Sequence, residues 1–212
     1  MKKRDLNLSR KAQILQATTK LLAKEGLQAL SFESVAREAD LSRQLVRYYY
    51  PDLQSLIVDM CDHLGNSYRD ILVSGVVEVA SVKRLEFFLD FFFDLSDVHA
   101  MPIDLEVYDA MVAYAVGSDD LRASLCRQYQ TLGQVMVHEL AIAHPELDGP
   151  SCEELSFLFV SMMHAHWSFV ASLGYSREHS RVTRKAIDRL LQSYISDSPD
   201  APRIDKPWAN DK

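Results

Sequence analysis

The residues best equipped for chemistry lie together near the start of the chain, in SRQLVRYYYPDLQSLI from Ser42 to Ile57. Arg43 and Arg47 are four apart and share one face of a helix, with Gln44 beside them. An arginine can donate two parallel hydrogen bonds to the edge of guanine, and a glutamine can pair in the same way with adenine. Val46 and Tyr50, also four apart, share a different, apolar face. Tyr48, Tyr49 and Tyr50 cannot all point at one core, so at least one of them faces outward. The chemistry on offer is recognition of base edges in a duplex.

A reading surface of this kind needs a short, firmly capped helix held against a small core. Ser9 is placed to cap a first helix with an apolar stripe through Ala12, Ile14, Leu15, Ala17, Leu21 and Leu22, and Gly26 to stop it. Ser31 reads as the cap of a short helix containing Phe32, Val35, Ala36 and Ala39. Asp40-Leu41-Ser42 is a tight connection, and Ser42 caps the next helix. Pro51 disfavours helix at the residue before it, so that helix ends near Tyr50. Two short helices so joined, the second polar on one face, make a helix-turn-helix. Asp52 can cap a longer helix with Leu53, Leu56, Ile57, Met60 and Leu64 at helical spacing.

The remainder reads as a helical body. Ser81 is placed to cap VKRLEFFLDFFFDL, a segment centred on LEVYDAMVAYAV follows, and a long helix runs from Gly117-Ser118 toward His144-Pro145. Ser151 or Cys152 opens the next helix, which Gly174 closes, and a last one spans about Arg177 to Ile195. The class is all-α, with about nine helices. The stretch after Asp197, SPDAPRIDKPWANDK, is proline-rich and polar and is expected to be a mobile tail.

Charge divides the chain in the same place. The net charge of −7 taken alone argues against nucleic acid, but residues 1–50 hold ten basic and five acidic side chains, and the rest thirteen and twenty-five. A basic N-terminal module on an acidic body is the layout of a protein that meets a polyanion at one end. Only 7 Gly and 7 Pro in 212 residues, three of the prolines after position 198, favour helices over hairpins. No apolar run of about eighteen residues and no signal-peptide pattern occur, so a cytoplasmic protein without a membrane partner is expected. Cys61, Cys126 and Cys152 are odd in number and scattered, which fits free thiols in a reducing compartment.

The pattern FESVAREADLSRQLVRYYYPDLQSLI resembles the helix-turn-helix of TetR-family transcriptional regulators. The likeness is strongest over residues 9–60, and the helical remainder agrees in length and layout. It implies a homodimer whose residues 1–50 bind a double-stranded DNA operator. Residues 51–196 then bind a small-molecule inducer and the second subunit, leaving 197–212 as the tail. No cofactor is implied. Arg43, Gln44 and Arg47 become the base readers by position, with Ser42 opening their helix. Tyr48 and Tyr49, with Ser31 and Phe32 at the start of the second helix, are the expected backbone contacts. Phosphate contacts position such a protein and base contacts specify its site. Three residues depart from the family pattern. Asp40 stands where the turn usually has glycine. Leu45 replaces a common small polar residue and can meet a thymine methyl. Leu53 replaces a frequent phosphate-reaching lysine.

The C-terminal stretch HAHWSFVASLGYSREHSRVTRKAIDRLLQSYI is similar, more weakly, to the choline-responsive, betaine-synthesis repressors (BetI-like). Phe92, Tyr108, Tyr114 and Trp167 can be read as an aromatic box for a quaternary ammonium, with Met111, Met163 and His166 completing the expected ligand lining. They can equally be read as core, the usual fate of aromatics at helical spacing. The apolar stripes Leu155, Leu158, Phe159 and Met162, then Ile187, Leu190 and Leu191, are the expected dimerisation surface, pairing two helices with their symmetry mates.

Two other patterns compete with this reading. His164 and His166, two apart on a helix, point in different directions and make a poor metal site. Asp90 and Asp94 in DFFFD share a face and could hold magnesium in an all-helical enzyme, yet no second acidic cluster accompanies them, and a solvated face is the better reading. No catalytic residue is expected. The competing classes are that enzyme and a helical protein-binding adaptor.

Overall fold

The computed structural model describes residues 2–80, 83–97, 105–174, 176–197 and Trp208. Among them are nine α-helices and no strand: α1 (Lys2–Glu25), α2 (Phe32–Glu38), α3 (Arg43–Tyr49), α4 (Leu53–Glu78), α5 (Arg84–Phe92), α6 (Leu105–Tyr114), α7 (Asp119–Ala143), α8 (Gly149–Leu173) and α9 (Arg177–Asp197). The expected all-helical class holds.

Local chemistry sets most boundaries. Ser34 N donates to Ser31 Oγ at 3.1 Å while Ser31 N donates to Ser34 Oγ at 3.0 Å, a reciprocal box that opens α2. After α2 the backbone turns left-handed at Asp40 (φ 52), and Leu41 N bonds Ala36 O at 2.9 Å. Aspartate thus takes the place glycine usually has. Ser42 Oγ accepts from Leu45 N at 3.1 Å and opens α3. Tyr50 leaves that helix in extended conformation (φ −132, ψ 105), as the residue before a proline tends to. Asp52 Oδ1 then accepts from Ser55 N at 2.7 Å at the start of α4.

Three boundaries differ from expectation. Ser9 lies inside α1 rather than at its cap, since the helix already runs from Lys2. The residues before Ser9 are mostly good helix formers with no glycine or proline to stop them. Helix α8 starts earlier than Ser151 or Cys152: Asp148 is the cap, its Oδ1 accepting from Ser151 N at 2.8 Å, with Pro150 inside the first turn. Proline costs nothing there, because its missing N–H would have been unpaired anyway. Helix α9 continues past Ile195 to Asp197. The proposed cap Ser81 lies outside the described residues. So does the expected mobile tail, apart from Trp208, which is buried.

The chain divides into two compact units, residues 1–67 with 104–125, and residues 68–103 with 126–212. Helix α4 passes from one to the other after Ser67, and α7 after Leu125. Besides residues 1–50 the first unit takes in the first half of α4, all of α6, which packs on α1, and the start of α7. Its core holds Ile14, Leu21, Val35, Val46, Tyr50, Leu56, Met60 and Met111. The second unit is built on the apolar side of α5, where Leu85, Phe88, Leu89, Phe91 and Phe92 are buried, against Leu155, Phe159, Met163 and Trp167 of α8 and Ile187 and Leu191 of α9. Arg184 of α9 pairs with Asp90 of α5 at 2.9 Å, and Arg177 donates to Asp94 O at 2.9 Å.

Candidate nucleic-acid interface and ligand-side residues

Helix α3 is anchored by Val46 and Tyr50, 0% and 1% exposed. Fully burying a side chain of valine's size contributes about 1.5–3 kcal/mol, so the helix has one settled rotation about its axis. Lys11 of α1 secures this corner: its Nζ lies 5.1 Å from the Tyr50 ring centroid and 3.0 Å from Asp59 Oδ2 of α4. Burial, and then the Asp59 carboxylate, push the Tyr50 hydroxyl far above the ordinary phenol range, so it stays neutral.

With that face inside, Arg43, Gln44, Arg47 and Tyr48 are exposed. Tyr48 is 75% exposed and meets the half-buried Tyr49 edge to face, ring centroids 5.3 Å apart. Leu45 is half-buried. The Arg47 guanidinium carbon lies 5.5 Å from the centroid of Phe32, so a residue of α2 steadies the Arg47 side chain on α3. The Ser31 hydroxyl is engaged by Ser34, 2.8 Å between oxygens. The arrangement offers two arginines and a glutamine to base edges, and one or two phenols at the rim for phosphate.

Residues 14–60 match the family model described as bacterial regulatory proteins, tetR family. The matched segment holds α2 and α3, with the end of α1 and the start of α4. No curated protein matches the chain. Solved structures show the same fold at low identity. A transcriptional regulator from Rhodococcus sp. Rha1 superposes with a TM-score of 0.73 at 16% identity, over 86% of this chain and 96% of that one. A protein from Saccharomonospora viridis, described as a transcriptional regulator and solved in complex with choline, gives 0.71 at 14%, over 86% and 95%. AibR, solved with isovaleryl coenzyme A and operator DNA, gives 0.60 at 16%, over 86% and 96%.

The residues expected to line a ligand site are mostly inside. Tyr108 and Met111 are buried and Tyr114 is 40% exposed in the first unit. Phe92, Met163, His166 and Trp167 are buried in the second. There Trp167 lies against Phe92 at 5.6 Å between centroids and stacks on Tyr68 at 6.2 Å. Tyr68, on the far half of α4, was absent from the sequence-based set. The Trp167 indole N–H donates to Phe92 O at 2.8 Å, which leaves only its ring faces for a ligand.

His166 Nε2 lies 3.1 Å from Ser180 Oγ. Burial, and then His179, lower its pKa, so it is neutral at pH 7. It also borders a cavity of about 380 Å³ between α8 and α9, with Met162, Phe169, His179 and Val182. His164 instead meets the Tyr129 hydroxyl at 2.9 Å. Asp90 of DFFFD is ion-paired rather than simply solvated, its partner Arg184 having a side chain only 12% exposed. Among the described residues no three His, Cys, Asp or Glu side chains converge as a metal site would require.

Glu139 is 5% exposed, and its Oε2 has no hydrogen-bond partner. Burial raises its pKa, and Arg84 and His138 only partly oppose that. A single carboxylate carries no periodic signal, so the pattern does not mark its burial.

The structure sorts the expected dimerisation residues by face. Leu155, Phe159, Ile187 and Leu191 are buried within this one chain, whereas Leu158, Met162 and Leu190 are half-buried. The large apolar side chains exposed on α8 and α9 are Phe157, Phe169, Leu173 and Val182. Among the described residues no helix is long and apolar enough to cross a membrane.

Proposed function

We infer that the protein is a homodimeric repressor that leaves its operator when a small molecule enters the second unit. The observation that carries the reading is the set of exposed Arg43, Gln44 and Arg47 on a helix whose rotation is set by buried Val46 and Tyr50. One seven-residue helix reads too few bases to specify a site, so a symmetric partner has to supply a second. The exposed Phe157, Phe169, Leu173 and Val182 with half-buried Leu158, Met162 and Leu190 form the apolar face on which α8 and α9 meet their mates. Sequestering these side chains is what gives that dimer its driving force.

The ligand we assign is a quaternary ammonium of the choline class, as in the BetI-like branch. Support comes from the Trp167, Phe92 and Tyr68 cluster, whose ring faces attract a cation and whose indole donor is already spent. The choline in the Saccharomonospora viridis relative points the same way. Phe92, Met163, His166 and Trp167 line the site on this reading. Ligand binding changes α4, which belongs to both units, and so changes the spacing of the two recognition helices. Half-sites lie about 34–36 Å apart or a multiple of it, so a few ångströms of spread releases the duplex. The protein works in the cytoplasm, where its operator is.

Calorimetry with choline and betaine, run beside operator release in a mobility-shift assay, tests this. Heat of binding with release of DNA at the same concentrations is expected; no heat at millimolar ligand removes the ligand assignment.

A further inference from the structure

Helix α7 carries Gly133 in its interior, where glycine is the least favourable residue after proline. The reason is on the adjoining surface. A Cβ at Gly133 would stand 2.1 Å from Cε2 of the Trp208 indole, so the ring lies directly on the α7 backbone. Trp208 is 8% exposed although it follows the end of α9 in a stretch whose composition is polar and proline-rich.

The polar groups around it are accounted for one by one. Ser156 of α8 is fully buried, and its hydroxyl donates its only hydrogen to Gly133 O at 2.7 Å. That leaves Ser156 Oγ to accept, and Trp208 Nε1 donates to it at 3.1 Å. Gln134 Nε2 donates to Trp208 O at 3.3 Å, and Phe157 of α8 lies 5.9 Å from the indole, centroid to centroid. A bare helix surface, an oriented acceptor, a donor for the main chain and an aromatic wall together select an indole. Phenylalanine has no N–H for Ser156, and a tyrosine hydroxyl sits elsewhere on its ring.

We propose that the seam between α7 and α8 is a tryptophan-docking site, and that its occupant is the chain's own Trp208, an intrachain strap that pins the two helices together. The strap closes the glycine gap in α7 and covers one side of Phe157. Phe169, Leu173 and Val182 remain exposed. Docking does not depend on the ligand or operator assigned above, so it stands or falls by its own test.

Trp167 and Trp208 are the chain's only 2 tryptophans, so Trp167→Phe in the full-length protein makes emission a report on Trp208 alone. The strap predicts blue-shifted emission poorly quenched by acrylamide, turning red and severalfold more quenched when Gly133→Ala is added. Thermal denaturation supplies the second arm. Gly133→Ala should lower Tm in the otherwise wild-type chain yet raise it in a Trp208→Ala background, where alanine's helix preference is unopposed. Solvent-like emission before the glycine is changed overturns the proposal, as does a Tm shift of the same sign in both backgrounds. A blue shift that appears only as protein concentration rises assigns the site to a second copy's tail, and the intrachain strap fails.

Discussion

The guanidinium of Arg47 lies over the ring of Phe32, 5.5 Å from its centroid, so the second helix holds the side chain proposed as a base reader on the third. A cation–π contact at an exposed site is worth about 0.5–1 kcal/mol, enough to bias where a long side chain spends its time. Phe32→Ala should therefore weaken operator binding by about that amount. Arg47→Ala should cost about 1–3 kcal/mol per half-site and relax preference at one base position. If the two act through one contact, the double variant loses little more than Arg47→Ala alone, which anisotropy titrations on operator and single-base variants would measure.

Tyr48 and Tyr49 belong to the phosphate side of the account. Tyr49→Phe should weaken binding equally on operator and random duplex, because a phosphate contact carries no sequence information. Tyr48→Phe should behave likewise, and with the more exposed ring it is expected to have the larger effect. A loss confined to operator DNA would move these residues into the base-reading set.

Ser42→Ala removes the acceptor for Leu45 N and should destabilise α3 by about 1 kcal/mol. Denaturant unfolding would show the loss, and operator affinity should fall with it because the base readers sit in the frayed helix. Unchanged affinity at lowered stability would mean that DNA itself completes the cap.

His166 gives the pH prediction. Its folded-state pKa is lowered, by burial first and by His179 second, so the unfolded chain takes up the proton more readily. The stabilisation is complete above the unfolded value near 6.5 and is lost as pH falls from there through the folded pKa. Tm measured against pH should therefore fall on that side, and His166→Gln should flatten the slope. The same acid-side slope in the variant would place the titration elsewhere.

How much of this was legible in the sequence depended on how local the determining physics is. Ser31, Ser42, Asp52 and Pro51 act within a few residues of themselves, and each does in the structure what its type and place suggested. The inward pair Val46 and Tyr50 follows from spacing, and the outward Arg43, Gln44 and Arg47 follow in turn. Helix α8 was harder, because it is apolar on more than one side. Leu155 and Phe159 turn inward and Phe157 and Phe169 outward, a choice made by α5 and α9 rather than by periodicity. Glu139 and Tyr68 matter only for what packs around them. Trp208 sits in a stretch that composition marks as a free tail, and its contacts with Gly133 and Ser156 are long-range ones that no local pattern shows.

The central claim is that exposed residues of α3 read a specific duplex, and one titration tests it most directly. DNA from around the protein's own gene and a random duplex of equal length would be titrated at several salt concentrations, with the native protein and with Arg47→Ala. The account predicts binding to the gene-flanking site roughly 10³-fold or more tighter than to random DNA, with affinity falling steeply as salt rises. Arg47→Ala should erase most of that preference while leaving random binding little changed. Equal affinity for both duplexes, or a preference that Arg47→Ala leaves intact, would contradict it.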